Sequence, residues 1–275
     1  MWDDDANPVQ LERKGAVASI TLNRPDAGNA FNVPLARSLL AAVKSVERDA
    51  AVRCVVVRAN GRMFCAGGDV KALHAAGDTL PALLREILSY LHPAIAGLAM
   101  MDKPVITAIQ GPAAGAGIGL AAVGDIALAE PEAHFTMAYS RIGLTPDGGA
   151  TWLLPRLIGL RRTQELTLTN RRVCAQDAAA MGLITRVVAS GGLAREVSAL
   201  ADELADGATG ALGRSKRLLL TGANTGMEVQ LDAECEQIAE QAATSESAIG
   251  LAAFAERRKP DFRLAASAAL SSWAS

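Results

Sequence analysis

Two glycine-rich turns carry the residues of this chain best suited to chemistry. The first is Phe64-Cys65-Ala66-Gly67-Gly68-Asp69-Val70; the second runs from Gln110 through Gly111, Gly115, Gly117 and Gly119 to Ala122. Each follows an apolar run that reads as a strand and precedes a stretch that reads as a helix. Glycine and alanine at such a junction let a ligand approach the backbone closely and leave N–H groups at a helix start pointing outward. Two N–H groups that converge make an oxyanion hole, which stabilises charge developing on a carbonyl oxygen. Small residues equally serve tight packing, and the residues alone leave the two readings level.

Spacing argues against other chemistries. No Gly-Lys-Ser/Thr follows either turn, so neither is a Walker A loop, and no G-x-S-x-G offers a nucleophile elbow. Gly117-x-Gly119-x-x-Ala122 imitates a dinucleotide fingerprint. A helix that ends before a strand at 126 leaves too few residues for a βαβ crossover, however, and no acid stands about 20 residues further on at a strand end. Cys54, Cys65, Cys174 and Cys235 share no CxxC spacing, and the histidines are scattered. They form neither a disulfide framework nor a zinc site, which suits a reducing, cytoplasmic setting.

The elements that must position these turns alternate strand and helix over the first half. Residues 9–12 and 17–22 read as a hairpin across Lys14-Gly15, followed by a loop over 23–29. A helix is expected over 34–50, with Pro34 in its first turn and Leu35, Leu39, Val43 and Val46 as its buried stripe. Residues 54–58, 105–109 and 126–129 read as strands buried on both faces. A long helix follows Thr79, with Pro93 as a kink or break. Beyond about 190 only helices are expected, over 193–204, 210–220 and 228–258, with acidic faces. The fold class is α/β, with a core over 1–190 and a helical region over 191–275.

Composition narrows the function classes. A length of 275 suits one large or two modest domains, and half of the residues are apolar, ample for a core. The formal charge is −2, with 5 Phe, 3 Trp and 2 Tyr. That is neither the basic excess nor the ring supply of a nucleic-acid binder, and the chain is too apolar for disorder. The acidic start Met1-Trp2-Asp3-Asp4-Asp5 is not a signal peptide, and Ser271–Ser275 carries no targeting address. Residues 105–124 hold no charge, but Gln110, Pro112 and five glycines there favour buried strand, turn and helix over a membrane span.

Read in order, the motifs point further. Leu22-Asn23-Arg24-Pro25, Asn29-Ala30, Phe64 to Val70, Pro104 to Gly117 and Gly143-Leu144-Thr145-Pro146-Asp147-Gly148-Gly149 resemble the crotonase (enoyl-CoA hydratase/isomerase) superfamily from about Val9 to Arg258. The resemblance implies a spiral of ββα units with a helical C-terminal trimerisation region, assembled as a homotrimer or hexamer. It implies an acyl-CoA thioester substrate, no cofactor beyond that CoA, and no nucleic-acid or membrane partner. By motif position the N–H groups of Gly68 and Ala116 form the oxyanion hole. Ala66, Gly68, Asp69 and Val70 match the adenine and pantetheine cradle, and Arg24 and Ala27 lie in the loop that also meets CoA. A basic residue common in that loop falls on Asp26, so phosphate contacts pass to Arg24 or to a neighbouring subunit.

The resemblance also singles out the catalytic carboxylates. Hydratases of the family activate water between two glutamates, which here fall on Gly119 and Tyr139. Both carboxylates are missing, and water addition needs a base and an acid. Asp147 stands where several isomerases of the family, including ring-opening phenylacetyl-pathway and dienoyl-CoA members, carry an aspartate. One carboxylate can move one proton between two carbons, which is allylic isomerisation. The residues alone favour Asp147 as a turn or helix cap, as Pro-Asp-Gly often is; the family pattern favours catalysis. A dehalogenase branch is similar at Asp147, Tyr139 and His92, with the aspartate as nucleophile and the histidine activating water. Pro93, next to His92, would turn that ring away. Hydration by relocated groups and a non-catalytic CoA-ester-binding protein remain as alternatives. His74 and His134 read as structural residues without partners, and Cys65 as a small buried residue.

Overall fold

The structure, a computed structural model, describes residues 7–264; the readings for Met1–Asp5 and Ser271–Ser275 lie outside the described residues. Strands β1 (Val9–Lys14) and β2 (Val17–Leu22) form the expected antiparallel hairpin. Helix α1 (Val33–Arg48) is capped by the Asn32 side chain, which accepts the Leu35 N–H at 2.9 Å, and it buries Leu35, Leu39, Val43 and Val46. Strand β3 (Cys54–Ala59), helices α2 (Val70–Ala75) and α3 (Leu80–Met100), and strand β4 (Val105–Ile109) follow. Next come β5 (Ala113–Ala114), α4 (Ala116–Ala122), β6 (Ile126–Ala129) and β7 (His134–Thr136). The chain continues through α5 (Ala150–Ile158), α6 (Leu160–Thr169), β8 (Val173–Cys174), α7 (Ala175–Met181) and β9 (Arg186–Val187). Helices α8 (Leu193–Asp206), α9 (Thr209–Gly222), α10 (Met227–Ala242) and α11 (Ser245–Ala255) follow.

The large sheet has the order β1-β2-β3-β4-β6-β9, parallel except at β1. A smaller layer has the order β5-β7-β8 and is extended by single bridges Cys65–Ala113 and Phe31–Gly68. A strand of the large sheet thus passes to a short partner in the second layer and then into a helix, and the succession repeats. That repeat sets the two glycine turns side by side.

Three expectations change. The connection from β4 to β6 spans 110–125, contains α4, and joins directly paired parallel strands. It is therefore long enough for a crossover. Pro93 does not break α3. A mid-helix proline costs about 3 kcal/mol, yet beyond it Ala94, Ile95 and Leu98 are buried in the core. Burying one Ile or Leu side chain stabilises by about 1.5–3 kcal/mol, so this packing offsets the lost hydrogen bond. The stretch 228–258 is two helices, because the Thr244 hydroxyl accepts the Ser247 N–H at 3.4 Å and starts α11 anew.

Residues 105–124 form β4, β5 and α4 and are almost all buried. Among the described residues no helix is long and apolar enough to cross a membrane. Helix α8 covers the far face of β3 and β4 through Leu193, Val197 and Ala201. The last helices are tied back by buried charges. Arg53 donates to the carbonyls of Ala205 at 2.7 Å and Gly207 at 2.6 Å and stands 3.8 Å from Glu246, while Lys216 pairs with Asp125 at 3.0 Å.

Candidate active site

An apolar cavity of about 660 Å³ opens between α3, the two glycine turns and the segment leading into α5. Leu84, Ile87, Leu88, Leu91 and Ile95 of α3 form one wall. The same cavity is lined by Ala66, Gly68 and Val70 from the first turn, Ala116 from the second, and His92, Tyr139 and Asp147.

The two turns touch through their backbones. The Ala114 N–H donates to the Cys65 carbonyl at 2.9 Å, and a Cβ at Gly67 would lie 2.7 Å from the Ala114 oxygen. Glycine is needed there for packing. Packing and donor exposure nonetheless coexist, because neither the Gly68 nor the Ala116 N–H donates to a protein acceptor among the described residues. Ala116 opens α4, where first-turn N–H groups have no partner within the helix. Gly68 and Ala116, from neighbouring turns, thus both line the cavity with backbone N–H groups that have no protein acceptor among the described residues.

The Asp147 side chain does not cap α5. That helix begins at Ala150 with no side-chain cap, and the Asp147 backbone carbonyl accepts the Ala150 N–H at 3.1 Å. The carboxyl instead accepts the Tyr139 hydroxyl, Oη to Oδ1, at 2.7 Å. Burial pushes the Asp147 carboxyl above the usual carboxylate range, opposed by the Tyr139 hydrogen bond and by His92. Burial, and then the adjoining Asp147, hold the Tyr139 phenol protonated well above its ordinary range. A carboxyl whose proton affinity is raised in an apolar cavity takes up a proton more readily than a free carboxylate.

His92 is not turned away by Pro93. Its ring lines the cavity, and its Nε2 accepts the Gly148 N–H at 3.3 Å. At Gly119 a Cβ would lie 1.9 Å from the Gly148 carbonyl oxygen, so backbone fills the space a glutamate side chain would start from.

The remaining predicted positions divide. Ala66 and Val70 stand on the cavity wall; Asp69, Arg24 and Ala27 do not. Asp69 caps α2, accepting the Ala72 N–H at 3.2 Å, and its other oxygen lies 3.4 Å from Arg24. The buried Arg24 guanidinium also donates to the Ala30 carbonyl at 2.6 Å. Through these contacts the guanidinium braces the loop to α2. Ala27 is exposed in a 3₁₀ turn, Pro25–Ala27, beside the exposed Asp26.

His134 is not partnerless either, since Arg172 lies 2.9 Å from its Nδ1. His74 is exposed at the end of α2. Cys65 is buried as expected; its Sγ lies 3.2 Å from the Asn29 carbonyl oxygen, and burial pushes the thiol up to about 12.

Sequence reasoning missed Asn29. It is fully buried at φ +55°, accepts the Arg24 N–H at 2.8 Å, and donates to the carbonyls of Asn60 and Met63 at 2.9 Å each. It pins the 24–29 loop to the first glycine turn; asparagine's tolerance of the left-handed region was the available signal. Trp152, on the cavity wall with the Arg156 guanidinium 3.9 Å above its ring, was also missed.

Comparison with known proteins agrees with this architecture. The enoyl-CoA hydratase/isomerase family profile matches residues 12–264. A 1,2-epoxyphenylacetyl-CoA isomerase of Escherichia coli is 38% identical over 90% of this chain and 94% of its own length. A 4-chlorobenzoyl coenzyme A dehalogenase of an Arthrobacter species is 30% identical over 94% of this chain and 91% of its own. The crystal structure of an enoyl-CoA hydratase from Polaromonas superposes with a TM-score of 0.87 at 31% identity, covering 92% of this chain and 98% of that one. With its crotonase fold and paired glycine turns, the chain belongs to the enoyl-CoA hydratase/isomerase family.

Proposed function

We propose that the chain isomerises enoyl-CoA thioesters, moving a double bond by one-proton transfer through Asp147. The thioester oxygen lies between the N–H groups of Gly68 and Ala116. The Asp147 carboxylate takes a proton from C2 of a 3-enoyl thioester, and the electron pair spreads into a dienolate whose charge the two donors stabilise. Losing one such donor costs about 2.7–4 kcal/mol in comparable sites. The carboxylic acid then returns its proton to C4, giving the 2-enoyl thioester and the original carboxylate. Tyr139 holds Oδ1 and leaves Oδ2 for the proton. No cofactor takes part, since CoA arrives with the substrate.

The observation that carries this reading is the Tyr139-held Asp147 carboxyl in the cavity that Gly68 and Ala116 also line, with no carboxylate at either hydratase position. The test is a panel of linear, branched and aryl acyl-CoAs, including 3-enoyl and arylacetyl thioesters, with products weighed by mass spectrometry. A product of unchanged mass that separates from the substrate on chromatography and absorbs as a conjugated 2-enoyl thioester supports the reading. A product heavier by one water, formed at about 10 per second or more, means hydration by relocated groups. Binding without turnover means a non-catalytic CoA-ester-binding protein.

A second reading has a specific observation behind it: His92 and Asp147 line the same cavity. It makes Asp147 the nucleophile of an aroyl-CoA dehalogenase or thioester hydrolase, and a halide or free acid in the same panel would reveal it. We also infer that 191–275 is an oligomerisation region serving a homotrimer or hexamer. Exposed Leu219, Ile238, Leu251 and Phe254 on its helices support that assembly.

A further inference from the structure

Asp147 has no rigid element beneath it; it sits in a loop just before α5. Tyr139 holds its carboxyl, and the next peptide fixes its backbone. Gly148 is buried at φ +58° and held from two sides. From α3, His92 Nε2 accepts its N–H at 3.3 Å. From α4, Gly119 lets its carbonyl oxygen approach to where a Cβ would be only 1.9 Å away. Gly119 lies three residues after Ala116, so both are on one face of α4. Gly148 also packs against Ala116 directly, with its own Cβ position 3.2 Å from the Ala116 backbone.

We propose that Gly119 and His92 are positioning residues that together seat the Gly148 peptide and so set the distance between the Asp147 carboxyl and the oxyanion hole. The inference rests on the proton-shuttle reading and adds to it. The absent side chain at 119 is a requirement of the site: it admits the loop that brings the aspartate. The His92 Nε2, the ring atom available to activate water in the second reading, is committed to a backbone donor instead.

The geometry gives magnitudes. Real Cβ atoms essentially never come within 3.0 Å of such a neighbour, so Gly119→Ala must drive the Gly148 oxygen from 1.9 Å outward by about 1 Å. A displacement of about 1 Å in a reacting group lowers rate by about 100-fold. Gly119→Ala should therefore lower kcat by about 100-fold, with KM for the 3-enoyl thioester within about threefold of wild type. His92→Leu removes the acceptor and should lower kcat about fivefold, the value of one neutral hydrogen bond. His92→Gln places an amide oxygen near the Nε2 position and should recover most of that loss.

The deciding experiment measures kcat and KM for these three variants and Asp147→Asn, together with a crystal structure of Gly119→Ala. The proposal is supported by a kcat-specific loss in Gly119→Ala, recovery in His92→Gln relative to His92→Leu, and a displaced Gly148. It is overturned if Gly148 keeps its place in Gly119→Ala, or if His92→Gln is as impaired as His92→Leu. A wild-type rate in Asp147→Asn removes the proton-shuttle reading instead, and the Gly148 position still decides the seat. Should Gly119→Ala not fold, the His92 pair alone decides between support and refutation.

Discussion

Tyr139→Phe perturbs the candidate proton carrier by a single oxygen atom. The ring is buried and phenylalanine keeps its shape, so packing against the cavity wall survives. What is lost is the 2.7 Å hydrogen bond from Oη to Asp147 Oδ1. That bond favours the ionised carboxylate, while burial favours the protonated acid. Hydrogen bonds to charged groups stabilise by about 1.5–3 kcal/mol, and water entering the open cavity replaces part of this. About 1.4 kcal/mol net is a tenfold change in proton affinity, which is about one pH unit. A proton-abstracting base must begin ionised, so the acid limb of the kcat/KM profile should move toward higher pH by about that amount. At pH well above the limb the variant should retain most of its rate. The assay is 3-enoyl-CoA isomerisation followed spectrophotometrically across the pH range. An acid limb that stays in place, or moves to lower pH, would refute the argument that Tyr139 stabilises the charged form of a catalytic Asp147.

Three further outcomes follow from the same geometry. The Asp147 carboxyl binds its proton more tightly folded than unfolded, so its contribution to stability is present at acid pH and lost as pH rises through its folded value. Asp147→Asn should therefore melt above wild type at neutral pH, by about 2–4 °C per kcal/mol in calorimetry, with the gap closing as pH falls. Asn29→Ala removes three hydrogen bonds and places alanine at φ +55°. It should cost about 3–4 kcal/mol in urea unfolding, with Asn29→Gly recovering about 1. Arg53→Ala leaves Glu246 and two carbonyls without their cation. A loss of about 3 kcal/mol, and faster amide exchange in α9 and α11 by mass spectrometry, should accompany it.

What was legible in the sequence was what periodicity and spacing encode. The α1 stripe of Leu35, Leu39, Val43 and Val46, the hairpin, and the three buried strands at 54, 105 and 126 all came from local pattern. The second sheet layer did not, because strands of two or three residues such as Ala113–Ala114 and Val173–Cys174 carry no periodicity. The continuity of α3 through Pro93 was hidden for the opposite reason: long-range burial of Ile95 and Leu98 overrides a local breaker. At the site, motif order located Gly68, Ala116, Tyr139 and Asp147, and the cavity contains all four. Motif order could not say that Arg24 reaches Asp69, or that His92 accepts a hydrogen bond from Gly148. The Arg24–Asp69 and His92–Gly148 contacts join residues 45 and 56 apart in sequence. The missing glutamate at 119 was visible as a letter, but the peptide that fills its space was not.

The most direct measurement is the rate of 3-enoyl-CoA to 2-enoyl-CoA conversion by wild type and Asp147→Asn, with thioester binding measured alongside. A general base of this kind contributes about 10²–10⁴-fold. The account predicts a loss in that range for Asp147→Asn with binding retained, and a wild-type rate in the variant would contradict it.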